Sequence, residues 1–156
     1  MKLHLINESN YCASIVKIEN IIPLENCDNI QGTQIFGNHV IISKDVCVGD
    51  IGVYFPVETS IKDWFLSENN LFRDKLLNVD KDKAGFFEYN GRVRCMKLRG
   101  HKSEGFWIPI SSLNINEAEI GLEFDYIDGK LLCEKYVVKK SITQTQNKKD
   151  KKNKKL

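Results

Sequence analysis

The chain has 156 residues, of which 42% are hydrophobic and 28% are charged, as is typical of one globular domain with its own core. No apolar run approaches the ~18 residues that a membrane-spanning helix needs. His4, Asn7 and Glu8 interrupt any signal-like start. We therefore expect a cytoplasmic protein without a membrane segment.

The cysteines stand at positions 12, 27, 47, 95 and 133, an odd number without a CxxC pair. This spacing predicts reduced, mostly buried thiols in a cytosolic compartment. The histidines at positions 4, 39 and 101 do not group with the cysteines in sequence. We therefore predict no metal site and no cofactor bound by this chain alone.

The charge of the chain is divided between a body and a tail. Of 23 Lys+Arg and 21 Asp+Glu, eight lysines and one aspartate fall in residues 139–156, which gives that segment a net charge of +7. The remaining 15 basic and 20 acidic residues give residues 1–138 a net charge of −5. Binding of nucleic acid by the body would therefore need a local basic patch.

The first half of the chain reads as short strands separated by turns. Residues 11–19 are rich in β-branched and apolar residues and predict a strand. Residues 31–43 predict a hairpin with Gly37-Asn38 at its turn. Residues 51–57 predict a strand that ends at Pro56 or lies at an edge, because proline cannot donate a ladder hydrogen bond.

The second half adds a helical insertion and further strands. Apolar residues recur at mixed three-to-five spacing over 60–78, which predicts one or two short amphipathic helices with a break near Ser67. Residues 86–98 predict a hairpin around Asn90-Gly91. The remaining predictions are a connection at 101–104, a strand at 105–110 and a terminal hairpin at 124–137.

Many short strands with one short helical insertion favour a small β-barrel formed by residues 1–138. Residues 139–156 have almost no apolar content and cannot bury enough surface to order themselves. The predicted architecture is one domain followed by a disordered, lysine-rich tail or linker.

The Asn90-Gly91 hairpin predicts a candidate binding surface. Side chains alternate along a strand, so Phe87, Tyr89, Arg92 and Arg94 would share one face together with Met96. Phe86, Val93 and Cys95 would then point to the core. Aromatic rings stack on bases and arginines pair with phosphates, which is the usual chemistry of single-strand binding on small barrels.

Basic residues continue beyond this hairpin at Lys97, Arg99 and Lys102, and no acidic residue interrupts residues 92–102. We include them in the candidate nucleic-acid-binding set. The alternative is a solvated hairpin whose arginines stack on neighbouring aromatics and pair with distant carboxylates. Residue types alone leave both interpretations open.

Two short segments are similar to the KxDG motif of nucleotidyltransferases, in which lysine attacks the α-phosphate of ATP. Lys97-Leu98-Arg99-Gly100 has arginine in place of the aspartate, and Tyr126-Ile127-Asp128-Gly129 has tyrosine in place of the lysine. No set of acidic residues suited to a metal follows either segment. We therefore predict no catalytic residue in this chain.

Four blocks carry a resemblance to a known family. They are ASIVKIENIIPLENCDNI at 13–30, VGDIGVYFPVET at 48–59, RVRCMKLRGHKSEGFWIPISSL at 92–113 and LCEKYVVKK at 132–140. These blocks resemble the N-terminal OB-fold domain of virus- and phage-type ATP-dependent RNA ligases, which precedes the nucleotidyltransferase domain. The predicted fold is therefore mainly β, a small OB-type barrel.

The resemblance implies RNA end joining through an enzyme-adenylate, with ATP and Mg²⁺ required by the full ligase. It also implies that the catalytic lysine lies downstream of the block at 132–140, so this chain by itself is expected to be inactive. The expected partners are nicked or single-stranded RNA and a nucleotidyltransferase domain in cis or in trans, and we expect a monomer.

Two alternatives to the ligase accessory domain stay open. The first is a freestanding OB-fold module that binds RNA or tRNA without a partner domain. The second is a protein-interaction domain that docks a separate nucleotidyltransferase through the same exposed face.

Overall fold

The computed structural model describes residues 2–7 and 10–138. The strands are β1 (Leu3–His4), β2 (Ala13–Lys17), β3 (Ile30–Ile35), β4 (Asn38–Ser43), β5 (Ile51–Phe55), β6 (Thr59–Ile61), β7 (Cys95–Leu98), β8 (His101–Glu104), β9 (Phe106–Pro109), β10 (Glu123–Phe124), β11 (Tyr126–Ile127), β12 (Lys130–Leu131) and β13 (Cys133–Lys135). The helix α1 spans Asp63–Glu68, and 3₁₀-helices span Lys75–Leu77 and Ile110–Leu113. The prediction of a mainly β fold with a short helical insertion is confirmed, whereas the predicted tail at 139–156 lies outside the described residues.

The central sheet has the strand order β10-β2-β5-β9, and every pairing in it is antiparallel. Strand β5 lies in the middle, with Tyr54 opposite Ser14 on one side and Trp107 on the other. It ends at Phe55, directly before Pro56, as the sequence predicts.

Strand β5 separates two hydrophobic clusters. Val53 and Phe55 belong to the larger cluster, which also contains Phe65 of α1. Tyr54 points to the other face and packs with Trp107 in the smaller cluster. Because successive side chains of a strand alternate between faces, β5 is buried on both sides and can lie only in the interior of the fold.

The predicted hairpin at 31–43 is confirmed as β3 and β4, which pair from Ile30–Ser43 to Ile35–Asn38. The turn residues are Phe36 and Gly37, one position earlier than predicted, and both have positive φ. Positive φ at both central residues is what a two-residue turn with the twist of its flanking strands requires.

The predicted terminal hairpin is confirmed as β11 and β12, joined by Asp128-Gly129. Strand β1 pairs with β11. Asp125, which is 2% exposed, accepts hydrogen bonds from the backbone N–H of Ile6 at 2.8 Å and of Asn7 at 3.1 Å. The N-terminal segment is therefore held against the C-terminal hairpin.

The predicted Asn90-Gly91 hairpin is wrong. Residues 91–93 run along β6 instead: Ile61 donates to the carbonyl of Gly91 and Val93 donates to that of Thr59, each at 2.8 Å. Gly91 has a φ of +66°, and an added Cβ would meet the backbone of Ile61. Since β6 offered an open edge, pairing with it replaced the local hairpin.

The next hairpin also differs from the prediction. Residues 101–104 form strand β8, which pairs with β7 around an Arg99-Gly100 turn, so they are not a connection. Strand β9 follows after Gly105, as predicted for 105–110. Among the residues that the structure describes, no helix has the length and apolar character needed to cross a membrane.

The helical insertion breaks where the sequence predicts, because α1 ends at Glu68 directly after Ser67. Past it, the loop 72–83 is organised around Asn78, whose side chain is fully buried. The Oδ1 of Asn78 accepts from the N–H of Phe72 at 3.0 Å, and its Nδ2 donates to the carbonyls of Phe72 at 3.0 Å and Lys83 at 2.7 Å. This amide therefore satisfies three backbone groups of the loop at once.

We predict that Asn78→Ala destabilises the fold by about 1–3 kcal/mol, because it leaves the buried N–H of Phe72 without its partner and removes the two hydrogen bonds that Nδ2 donates. Urea unfolding followed by tryptophan fluorescence measures the change in the free energy of unfolding. Asn116→Ala, at an exposed position, is the control and should leave the midpoint in place. Equal stability of the two variants would contradict this role of Asn78.

Candidate nucleic-acid interface

An open groove of about 860 Å³ lies between the β3–β4 hairpin, the β7–β8 hairpin, strand β9 and the segment 86–94. Its apolar lining comes from all four elements. The larger apolar side chains of that lining are Ile30, Ile41, Ile42, Leu71, Phe86, Phe87, Met96, Leu98, Phe106, Trp107 and Ile108. The charged side chains at the groove are Asp45, Arg73, Glu88, Arg92, Arg94 and Lys97.

Three phenylalanine rings form an aromatic cluster at one side of the groove. The ring of Phe86 stacks on that of Phe87, with centroids 4.9 Å apart and planes 24° apart. Phe106 meets Phe87 edge-on at 5.0 Å and Phe86 at 5.7 Å. Phe87 is 3% exposed and Phe86 is 42% exposed, so the cluster presents Phe86 to the groove.

The prediction that Phe87 faces outward and Phe86 inward is therefore wrong. Phe87 pairs with the insertion instead of with residues 92–94: its N–H donates to the carbonyl of Leu71 at 2.9 Å, and its carbonyl accepts from Arg73 at 2.8 Å. This pairing turns Phe87 into the larger hydrophobic cluster. Side chains still alternate along residues 86–89, but the strand pairs with residues 71–73, so its inward face is the opposite of the predicted one.

Arg94 and Lys97 line the groove as exposed cations. Within the part of the chain that the structure describes, neither forms a salt bridge. Arg73 adds a third cation, which pairs with Glu88 at 3.0 Å while both side chains remain about half exposed or more. Exposed pairs of this kind are worth little, so Arg73 can exchange its partner readily.

Arg92 makes the contacts that the alternative interpretation predicts for the arginines, an aromatic neighbour and a carboxylate distant in sequence. Its Nε and Nη2 donate to the two carboxylate oxygens of Glu58 at 3.0 and 2.9 Å, and its guanidinium lies 4.6 Å from the ring centroid of Tyr136. The hydrogen bonds that Arg92 donates to Glu58 raise the pKa of Arg92 above its ordinary value. Arg92 therefore links Glu58, directly before β6, to Tyr136 in the C-terminal segment, and its charge is already paired.

The other members of the predicted set are spread over the surface. Tyr89 is 76% exposed and lines a second cavity of about 680 Å³ beside Tyr136. Arg99 lies at the β7–β8 turn. Lys102 lies on β8, with its Nζ 3.6 Å from the carboxylate of Glu104. The groove thus brings Arg94 and Lys97 together with Phe86 and Arg73, and the latter two were not predicted.

The sequence offered little that could have found those two residues. Phe86 needed the correct pairing partner for residues 86–89, which comes from the insertion at 71–73. Arg73 lies in that insertion, and no spacing rule joins it to Arg94.

The comparison with family models matches residues 12–110 to the PHA02142 OB-fold domain. This match covers more than half of the chain and includes β2 to β9. The chain belongs to this OB-fold family. The predicted OB-type barrel is therefore confirmed, and the groove lies on the OB-fold domain itself.

Among solved structures, the OB-fold domain resembles Naegleria gruberi RNA ligase with PPi, with a TM-score of 0.59 and 24% identity over 85% of this chain and 37% of the ligase chain. A mutant of the same ligase with ATP and Mn gives a TM-score of 0.58 and 24% identity over 83% of this chain and 36% of the ligase chain. This likeness shows the fold. The OB-fold domain spans little more than a third of the ligase chains that it matches. No curated protein matches the sequence significantly.

The described residues of the OB-fold domain do not fit the Mg²⁺ that the resemblance implies for a full ligase. No three His, Cys, Asp or Glu side chains among them come together as metal ligands. The predicted Lys97-Leu98-Arg99-Gly100 segment is the end of β7 and its turn. We therefore derive no step through ATP or a metal on these residues.

The five thiols fall into two classes. Cys47 and Cys95 are exposed, and Cys95 lines the groove, whereas Cys12, Cys27 and Cys133 are buried. Burial raises the pKa of Cys12 to about 11, with Glu123 and Asp125 adding to the shift. Burial also raises the pKa of Cys133, to which the neighbouring Cys12 contributes.

We predict that two thiols react quickly with Ellman's reagent at about pH 8 and that three react only after denaturation, because reaction requires an accessible thiolate. The fast pair should be Cys47 and Cys95, as mass spectrometry of the labelled peptides can show. Since the pKa of Cys12 is raised, its thiolate fraction stays low until the pH approaches that value. Rapid labelling of Cys12 or Cys133 in the folded protein would contradict the structure.

Proposed function

We propose that this OB-fold domain binds a single strand of RNA in the groove and positions it for the nucleotidyltransferase domain of an ATP-dependent RNA ligase. The observation that carries the proposal is the exposed ring of Phe86, backed by Phe87 and Phe106, beside Arg94 and Lys97, which form no ion pair with a described residue.

An apolar floor with cations at its side favours a single strand. An unpaired base can reach and stack on Phe86, whereas a duplex keeps its bases stacked on one another and presents mainly phosphates. Stacking that ring against Phe87 fixes its orientation before RNA arrives, which reduces the conformational entropy lost on binding.

Charge supports a local contact. Residues 1–138 have a net charge of −5, so a polyanion is repelled by most of this body. Arg94 and Lys97 are exposed cations at the groove with no described carboxylate paired to them. We propose that their phosphate contacts set the register of the strand while Phe86 takes a base.

The ligase assignment rests on the fold likeness and on the share of the chain involved. The matched structures are of an RNA ligase, and the OB-fold domain covers about a third of them. In the proposed arrangement this domain supplies RNA contacts, while ATP and Mg²⁺ belong to a nucleotidyltransferase domain present in cis or in trans. The natural setting would be RNA repair in the cytoplasm, with the domain itself monomeric.

We predict that the double variant Arg94→Gln/Lys97→Gln weakens binding of a labelled oligouridylate. Because a contact to single-stranded nucleic acid contributes about 0.7 to the slope of log K against log salt, the slope should fall by about 1.4. Fluorescence anisotropy over a range of KCl concentrations measures both the affinity and the slope.

Lys2→Gln/Lys75→Gln removes the same charge from outside the groove and is the control. It should leave the slope close to that of the parent protein. As a second readout, oligouridylate should protect Cys95, which lines the groove, from alkylation and leave Cys47 reactive. Equal slopes for both double variants, or no protection of Cys95, would refute the proposed groove.

A second candidate is a protein-interaction domain, and the second cavity favours it. Tyr89, Val137 and Val138 are each more than half exposed and lie together at that cavity. Exposed apolar side chains at a cavity that Lys62, Asp63, Glu134 and Lys135 also line suit a protein partner better than a phosphate backbone. Tight association with a nucleotidyltransferase domain, lost in Tyr89→Ser and unaffected by Arg94→Gln, would favour this role.

A further inference from the structure

Strand β7 has a neighbouring strand on one side only. It pairs with β8 over its whole length, and the sheet that contains the two has no third strand among the described residues. Strand β8 in turn lies beside β4, because the N–H of Ile41 on β4 donates to the hydroxyl of Ser103 on β8 at 3.0 Å. The hairpin therefore adds β7 as the outermost strand, and its outer edge is open.

The hydrogen bonds of β8 show which backbone groups of β7 face that edge. The carbonyl of Lys102 lies 2.6 Å from a ring nitrogen of a histidine on β4, and the carbonyl of Glu104 accepts from a tyrosine hydroxyl on β5 at 2.9 Å. Both carbonyls therefore point away from β7. In an antiparallel pair, residues whose backbone groups point away from the partner strand stand opposite each other. Lys97 stands opposite Lys102 and Cys95 opposite Glu104, so the N–H and C=O of Lys97 and Cys95 face the outer edge.

The residues before β7 give the same result independently. The N–H of Val93 donates to the carbonyl of Thr59 at 2.8 Å, and the carbonyl of Val93 accepts from the N–H of Glu58 at 2.7 Å. Backbone groups along an extended chain face the same side at every second residue, so those of Cys95 and Lys97 continue the edge that Val93 begins. This edge is therefore paired at 93 and open at 95–97.

The pairing stops at Glu58 for a local reason. Glu58 has a φ of +75°, outside the extended region that strand pairing requires, and Pro56 has no N–H to donate. Across the described residues, the outward N–H and C=O of Cys95 and Lys97 have no hydrogen-bond partner. These two donor–acceptor pairs lie about 7 Å apart, two residue rises of a strand, which is the repeat that another extended peptide presents.

The side chains beside the open edge determine which peptide fits it. Arg94 and Lys97 are exposed and form no ion pair with a described residue. Met96 and Leu98 are half-buried and lie on the face opposite Lys97. Carboxylates next to Lys97 and apolar side chains next to Met96 complement this edge. A second copy of β7 does not, because Arg94 and Lys97 of both chains would come together as like charges.

We propose that the open edge of β7 takes an extended acidic segment of a protein partner as an added strand. Backbone hydrogen bonds to Cys95 and Lys97 supply affinity, and a carboxylate beside Lys97 selects acidic segments. This inference goes beyond the proposed RNA-binding function and does not rest on it. The segment and RNA share Arg94 and Lys97, so each excludes the other.

A fluorescein-labelled peptide of eight alternating valine and glutamate residues is the probe, and anisotropy at low salt measures its binding. The residue directly opposite Lys97 shares both its face and its hydrogen bonds, so a glutamate takes that place. The same peptide N-methylated at its glutamates keeps every charge and loses those backbone donors, so it should not bind. A peptide with lysine in place of glutamate should not bind either.

Two protein variants separate the backbone from the charge. Cys95→Pro removes an outward N–H but no bond to β8, a position where proline is tolerated, and should weaken peptide binding about fivefold. Cys95→Ser keeps that N–H and is the matched control, with the affinity of the parent protein. Lys97→Glu should transfer the preference to the lysine peptide, and it faces Lys102, so the hairpin keeps a favourable cross-strand pair.

Hydrogen exchange followed by NMR observes the edge directly. In the protein alone, the amides of Cys95 and Lys97 should exchange quickly and that of Met96 slowly, because Met96 bonds to β8. The glutamate peptide should slow exchange at 95 and 97. If Cys95→Pro fails to fold, this measurement and the N-methylated peptide decide.

Equal binding of the glutamate peptide and its N-methylated form, or no binding of either, overturns the inference. A dimer in light scattering that is lost in Cys95→Pro also overturns it, because a second copy then occupies the edge. Peptide binding without oligouridylate binding overturns the proposed function alone, and oligouridylate binding without peptide binding overturns this inference alone. Displacement of the peptide by oligouridylate supports both, whereas simultaneous binding overturns the sharing of Arg94 and Lys97.

Discussion

Burial of β5 on both faces is the constraint on which the rest of the structure depends. Val53 and Phe55 complete the larger hydrophobic cluster, while Tyr54 enters the smaller one. Strand β5 is flanked by β2 and β9, and the hairpins pack around it. The same tyrosine that fills the smaller cluster also packs against Phe36 of the β3–β4 turn and donates to the carbonyl of Glu104 at the end of β8. Core packing and surface geometry are therefore linked through one side chain.

Competition for strand edges decided which side chains of residues 86–94 reach the groove. Residues 91–93 could have folded back on 86–89, but they pair with the edge of β6 instead. The two hydrogen bonds from Arg92 to the carboxylate of Glu58 support this pairing. Pairing with the insertion then buried Phe87 and exposed Phe86. When the pairing register of a strand shifts by one residue, every inward side chain turns outward and every outward one turns inward. The choice of partner strand therefore determined which aromatic ring reaches the groove.

The OB-fold domain concentrates its unpaired charge instead of distributing it. The body is acidic, yet Arg94, Lys97 and Arg99 lie along one strand and its turn without described ion-pair partners. Arg92, by contrast, is held by Glu58 and lies against Tyr136, so its charge serves the fold. The presence of a carboxylate partner separates Arg92 from the cations without described ion pairs, and it cannot be deduced from residue type.

The sequence by itself determined the mainly β architecture, the β3–β4 and β11–β12 hairpins, the end of β5 at Pro56 and the basic stretch at 92–102, because strand alternation, turn residues and charge are local properties. Only the tertiary structure decided that Gly91 pairs with Ile61, that Phe86 is the exposed ring and that Arg92 is held by Glu58. These features depend on contacts between residues distant in sequence, whose competition no local pattern records.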